Sequence, residues 1–252
     1  MLMKAMITPA TAADRLIGDS MESDTTHHLG IAMFARTPGS GGKSRLASTW
    51  GRERTDIFYE HCLRCGAEWL QADQEAAKPY WAVTGASQKI SNPWGSIKTI
   101  EQCAGSLGAR MAQISSELMQ NHQYWCLVGT DIPQMPPLTT LQISVRLQNA
   151  DIVFGPSGDG GFWLIAGSCL IPEEVWTKVR YSHADTMDQF ISILSKEVVG
   201  VTIDTSLPLQ YDVDLEKDLL PLRRELKANR HCCSPAQQQL LQWLESHEAG
   251  LR

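Results

Sequence analysis

Short apolar runs alternate with amphipathic helical segments along most of this chain, and that beat leaves few folds open. Residues 29–35, 80–84, 125–128, 152–154, 162–166 and 198–203 read as strands bounded by turn residues. Residues 57–70, 107–119, 138–147, 185–194 and 215–227 read as helices, the last with an interruption expected at Pro221. In the first of these helices Phe58, Cys62, Cys65 and Trp69 fall on one stripe. Strands that alternate with helices in this way predict an α/β domain, three layers deep (α/β/α), with a mostly parallel sheet. Ligands of such domains sit at the carboxyl ends of the strands.

Length and charge narrow the function. A chain of 252 residues suits one enzyme-sized domain with appendages. Lys plus Arg number 22 against 28 Asp plus Glu, a net charge of -6, which is the wrong sign for binding a phosphate backbone by counterion release, so no nucleic-acid partner is expected. The longest uncharged apolar stretch, residues 160–171, is too short for a membrane span. Seven scattered cysteines without a convincing secretory signal predict a reducing, cytoplasmic setting. Residues 1–27 carry too little apolar surface to offset ordering entropy and are expected to be a flexible extension. The folded domain is expected over residues 28–228, and residues 229–252 form a tail. There Ser234 and Pro235 offer an N-cap and first-turn proline for a helix carrying Leu240, Leu241, Trp243 and Leu244. The chain is expected to be a monomer or a homodimer.

Four loops carry the candidate chemistry. Residues 36–45, Arg-Thr-Pro-Gly-Ser-Gly-Gly-Lys-Ser-Arg, follow the first strand. Glycine N–H groups there can ring a phosphate while Lys43 and Arg45 neutralise it, although Thr37 breaks the Walker spacing and an exposed glycine turn would leave the same composition. Lys43 is expected to be exposed. Gly129-Thr130-Asp131-Ile132-Pro133 delivers a carboxylate to a strand end, suited to a divalent cation or to an Asx turn. Gly155 to Gly161 holds Asp159 among glycines, which suits a hydroxyl-rich ligand, a base, or simply a hairpin. In Asp212-Val213-Asp214 two carboxylates share a face if the segment is extended, though Asp214, Glu216 and Asp218 also suit a helix N-terminus. Cys62 and Cys65 have redox or metal spacing but lie within a helix, where core thiols are expected. His183 could touch an acceptor or serve structure.

In order, these segments resemble small bacterial GT-A-type transferases described as radical-SAM/selenodomain-associated transferases or arsenosugar-biosynthesis glycosyltransferases. Phe34 to Pro38 and Lys43 to Leu46 match the two ends of the family's first block. Gln102, Gly105, Leu107, Gly108, Arg110 and Met111 match its second. Gly129 to Pro133, Gly155 to Gly161 and Asp212 to Leu219 match three more. The likeness covers about residues 30–225, and the loop before Lys43 is one residue shorter than the family spacing.

The resemblance implies a GT-A, Rossmann-like nucleotide-diphospho-sugar transferase fold related to small nucleotidyltransferases. It implies a nucleotide-sugar donor, a small-molecule acceptor, and Mg²⁺ or Mn²⁺ held by Asp131 and Asp214. Arg36, Gly39, Gly42, Lys43, Arg45 and Arg110 would meet the nucleotide phosphates. Asp159, Gly160, Gly161 and His183 would meet the sugar or acceptor, with Asp159, Lys43 and Asp131 as the catalytic groups. A nucleotidyltransferase, or a nucleotide-binding module without turnover, would keep the same residues.

Overall fold

The computed structural model describes residues 28–84, 93–136 and 139–247. The expected N-terminal extension and the last residues of the tail lie outside them. Elements follow the chain as β1 (Leu29–Arg36), α1 (Ser44–Trp50), α2 (Arg52–Gln71), β2 (Ala77–Thr84), β3 (Lys98–Glu101), α3 (Leu107–Asn121), β4 (Tyr124–Gly129) and α4 (Thr139–Leu147). They continue as β5 (Ile152–Pro156), β6 (Phe162–Gly167), α5 (Glu173–Lys178), α6 (Thr186–Glu197), β7 (Ile203–Asp204), α7 (Glu216–Ala228) and α8 (Pro235–Ser246).

The strands form one seven-stranded sheet in the order β3-β2-β1-β4-β6-β5-β7. All pairs are parallel except those made by β6, which runs against both β4 and β5. β1 lies inside the sheet between β2 and β4, and burial on both faces explains why its sequence is apolar up to Arg36. Leu29, Ile31, Met33 and Ala35 enter the core under α1, α2, α4, α7 and α8, while Ala32 points to the core under α3, α5 and α6. Each fully buried Leu, Ile or Met there contributes about 2 kcal/mol of hydrophobic stabilisation. The second core is aromatic, with Trp176 edge-on to Phe190 at 5.0 Å and Phe190 edge-on to Phe154 at 5.4 Å. The architecture is the three-layer α/β/α sandwich that the alternating pattern predicts.

The differences from that pattern have local causes. α1 and α2 are separate because Gly51 adopts φ 93 between them, so the long helix starts at Arg52, ahead of the apolar stripe. β3 is an edge strand with a mostly exposed sequence, Lys-Thr-Ile-Glu, and offers no apolar run to recognise. The strand expected over 198–203 shrinks to Ile203–Asp204. Its first half ends α6 instead: Val198 N–H donates to the Leu194 carbonyl, Gly200 turns at φ 79, and Val199 is 95% exposed. Pro221 does not interrupt α7, which is helical throughout. α8 forms with a capping box: the Ser234 N–H donates to Gln237 Oε1 at 3.0 Å and the Gln237 N–H to Ser234 Oγ at 3.4 Å. Its Leu240, Leu241 and Leu244 join the core.

Candidate active site

The chain reverses its winding direction at β1, which has β2 on one side and β4 on the other, and a cleft opens at this switch point. Its volume is about 660 Å³. The carboxyl ends of β1, β2 and β4 form its floor, and the β5–β6 turn, the start of α3 and the segment before α6 form its walls.

The loop after β1 is held open by its hydrogen bonds. Tyr59 Oη accepts from the Arg36 N–H at 2.8 Å and donates to the Arg36 carbonyl at 3.0 Å, and Thr37 Oγ1 donates to the Thr84 carbonyl. Gly39 and Gly41 then take φ 75 and 81, and Lys43 itself is left-handed at φ 49. That conformation aims the Lys43 side chain inward beneath α1. Its Nζ lies 2.6 Å from Asp131 Oδ1 and 3.8 Å from Asp214 Oδ1, and it donates to the Val213 carbonyl at 2.7 Å. The side chain is 4% exposed, so the expected exposed lysine is corrected to a buried one. Burial alone would lower the ammonium's pKa; Asp131 foremost, then Cys62 and Asp214, overcome it and hold the pKa above the ordinary value. Arg45, in the first turn of α1, places Nη2 2.9 Å from Asp214 Oδ2.

The two acidic segments are joined to each other. Val213 N–H donates to the Asp131 carbonyl at 3.0 Å, which brings the Asp212–Asp214 segment beside the end of β4. Asp214 does not cap α7. Asp218 Oδ2 accepts from the N–H groups of Asp214 and Leu215, at 3.1 and 2.8 Å, and leaves the Asp214 carboxylate to Lys43 and Arg45. Burial, and then the neighbouring Asp131, raise the Asp214 pKa. Asp212 faces the same cleft and accepts from the Ser157 hydroxyl at 2.7 Å; burial, reinforced by Asp159, Asp131 and Asp214, pushes its pKa up to about 6.

The glycine-rich turn is a hairpin, as its Asp-Gly signal allows, and it also lines the cleft through Asp159 and Gly161. Asp159 Oδ1 accepts from the Gly161 N–H at 2.9 Å, which fixes the carboxylate. Gly160 lies outside the cleft lining and has a packing role. It sits at φ 86, a Cβ on it would fall 1.9 Å from the Ala184 carbonyl oxygen, and its own carbonyl accepts from the Met187 N–H. The hairpin tip is thereby fastened to the segment that presents His183 to the cleft. Thr186 stiffens that segment, its hydroxyl donating to the His183 carbonyl at 2.7 Å and accepting from the His183 N–H at 3.1 Å.

On the opposite wall, Ser106 caps α3, and Gly108 allows the Trp176 carbonyl to approach within 2.2 Å of where a Cβ would be. Arg110 stands in the first turn, where no acidic residue accompanies it. Its Nε is buried and has no hydrogen-bond partner among the described residues. A cation at a helix N-terminus opposes the macrodipole, so this corner favours an anion twice over.

Of the residues expected to form a site, Arg36, Gly42, Lys43, Arg45, Arg110, Asp131, Asp159, Gly161, His183 and Asp214 line one cleft. Gly39 and Gly160 do not; Gly39 lies on the exposed outer bend of the loop. Tyr59, Thr84, Phe162, Trp163 and Tyr181 also line it, and none of them stands in a motif that marks a site. Cys62 and Cys65 are buried thiols, Cys62 pushed up to about 12 by burial, as inert core groups should be.

Residues 66–183 match a family described as an uncharacterized protein conserved in bacteria, DUF2064. A comparison with curated proteins finds no match. Among solved structures, the chain is similar to a protein of Desulfovibrio desulfuricans G20 provisionally assigned as a nucleotide-diphospho-sugar transferase, with TM-score 0.76 and 22% identity over 89% of this chain and 97% of that one. It is also similar to a CMP:2-keto-3-deoxy-manno-octonic acid synthetase complexed with CTP, with TM-score 0.52 and 12% identity over 80% of this chain and 99% of that one. The chain therefore shares its fold with these two proteins. No helix among the described residues is long and apolar enough to cross a membrane.

Proposed function

We propose that the protein is a metal-dependent glycosyltransferase of the GT-A type that moves a sugar from a nucleotide-diphosphate sugar to a small-molecule acceptor. The observation that carries this reading is the meeting of Asp131 and Asp214, from distant parts of the chain, about a single buried positive charge at the mouth of the glycine loop. Two hard carboxylates so arranged fit Mg²⁺ or Mn²⁺. Among the described residues no third acidic, histidine or cysteine side chain completes a cage, so remaining ligands would come from the donor's phosphates. Such an ion supplies charge screening for the diphosphate leaving group.

The chain's own groups do the rest. Arg45, Arg36 and Arg110 meet phosphate oxygens and stabilise the charge that develops as the diphosphate departs, while Lys43, buried against Asp131 and Asp214, adds its charge from behind them. Gly42 lets backbone approach, and Gly39 gives the loop its bend. Asp159, held by Gly161, orients an acceptor hydroxyl and takes its proton, with His183 alongside. The likeness of the five sequence blocks to the arsenosugar-biosynthesis type supports sugar transfer, and we place the protein in the cytoplasm, as a monomer or homodimer.

Nucleotidyl transfer from an NTP to a phosphorylated acceptor is the second reading, favoured by the fold shared with a CTP-bound synthetase. Incubation of UDP-, GDP-, ADP- and TDP-sugars and of NTPs with Mn²⁺, followed by mass spectrometry, tests both. Release of nucleoside diphosphate from a nucleotide sugar, lost in Asp131→Asn, is the expected outcome. Pyrophosphate released from an NTP would make the second reading correct.

A further inference from the structure

The loop that follows Asp131 poses an accounting problem. Ile132, Pro133, Gln134 and Met135 are all buried, and a buried irregular segment must find partners for its carbonyls. Two of those partners come from α8. Gln237 Nε2 donates to the Pro133 and Met135 carbonyls, both at 3.0 Å. The same amide's Oε1 accepts from the Ser234 N–H in the capping box, so a side chain only 7% exposed uses both ends at once. α2 completes the frame: Trp69 Nε1 donates to the Pro136 carbonyl at 3.1 Å, and Glu68 Oε2 accepts from the Ala236 N–H at 2.8 Å.

We infer that Gln237 is a positioning residue, and that α8 is part of the transferase machinery. It fixes the height of the Asp131 carboxylate in the cleft by holding the two carbonyls just downstream of it. The family match ends at His183, and the five sequence blocks end at Leu219, so α8 lies beyond both. The inference rests on the proposed role of Asp131 for its metal readout and on geometry alone for its second readout.

The capping box supplies its own control. Gln237→Glu keeps an acceptor for the Ser234 N–H but replaces the donors facing Pro133 and Met135. Ser234→Ala removes the hydroxyl half of the same box and leaves the amide's donors in place. Gln237→Met removes the donors without burying a charge and keeps the test open if the glutamate variant does not fold. Two quantities are read on full-length protein: Mn²⁺ affinity by electron paramagnetic resonance, and amide hydrogen exchange over residues 130–136. The expected result is at least about tenfold weaker Mn²⁺ binding and at least about tenfold faster exchange in the Gln237 variants, with Ser234→Ala within about twofold of wild type. Wild-type exchange in both Gln237 variants, or equal effects of Ser234→Ala, overturns the inference. If the wild-type protein binds no Mn²⁺, the metal reading fails by itself, while the exchange comparison still decides the role of Gln237.

Discussion

Removing the Lys43 ammonium should cost stability, and a divalent cation should restore part of it. Lys43→Met keeps most of the buried stem and deletes the charge. At an effective dielectric of about 20, the gross attraction is about 6 kcal/mol to Asp131 at 2.6 Å and about 4 kcal/mol to Asp214 at 3.8 Å. Most of this is offset by the desolvation of a side chain that is 4% exposed, and solvent screens the carboxylates, which are 47% and 36% exposed. A net loss of about 2–4 kcal/mol remains, since Asp131 and Asp214 are left facing each other and the Val213 carbonyl loses its donor. For a domain of this size that is a fall in Tm of about 5–15 °C. Thermal melts of wild type, Lys43→Met, Asp131→Asn and the double variant in EDTA complete a cycle, in which the double variant should recover part of the loss. Millimolar Mn²⁺ should then raise the Tm of Lys43→Met more than that of wild type, because the carboxylates are released to it. A variant melting like wild type in EDTA would refute the buried ion pair. A destabilised variant indifferent to Mn²⁺ would refute the shared-cation reading of Asp131 and Asp214.

Two further outcomes follow from single residues. Asp212 has a folded pKa near 6 against an ordinary 3.8, so its ionisation opposes folding: the stability present below about pH 4 is lost as the pH rises through 6. In EDTA, Asp212→Asn should therefore match wild type near pH 4 and exceed it at pH 7.5 by up to about 3 kcal/mol in urea melts; a constant difference at both pH values would contradict the burial argument. Gly160→Ala combines φ 86 with a backbone oxygen 1.9 Å from the new Cβ and should cost about 3 kcal/mol or more, whereas Gly39→Ala, at φ 75 in open space, should cost about 1 kcal/mol. Equal Tm losses in the two variants would show that the contact with Ala184 does not constrain the hairpin.

The parts legible in the sequence are those whose cause is local. The apolar run of β1, the turn glycines before Lys43 and the Asp-Gly hairpin each declare themselves within a few residues. The carboxylates could be chosen for the same reason, because each follows or adjoins a recognisable strand or turn. What stayed hidden depends on distant partners. The burial of Lys43 is decided by a carbonyl 170 positions away, and the anchoring of Arg36 by a tyrosine 23 positions on, inside an apparently ordinary amphipathic helix. The freedom of Asp214 depends on Asp218 reaching back to take the capping role, and either residue looks suited to it in the sequence. The short α1 and the polar edge strand β3 have too few residues, or too little burial, to show a period.

The reversed direction of β6 has a consequence for how such a cleft could diversify. Because β5 and β6 meet in a tight hairpin, this wall carries no crossover helix that must be re-docked when the turn changes length. The opposite wall, by contrast, is built from the first turns of α1 and α3. Yet the hairpin tip is not free to vary alone. A Cβ on Gly160 would fall 1.9 Å from the Ala184 carbonyl oxygen, so a new side chain at that position must be matched by a shift of the segment bearing His183. Substitutions in these two loops should be inherited as pairs across relatives, and grafting one loop from another protein without its companion should yield an ill-fitting chimera.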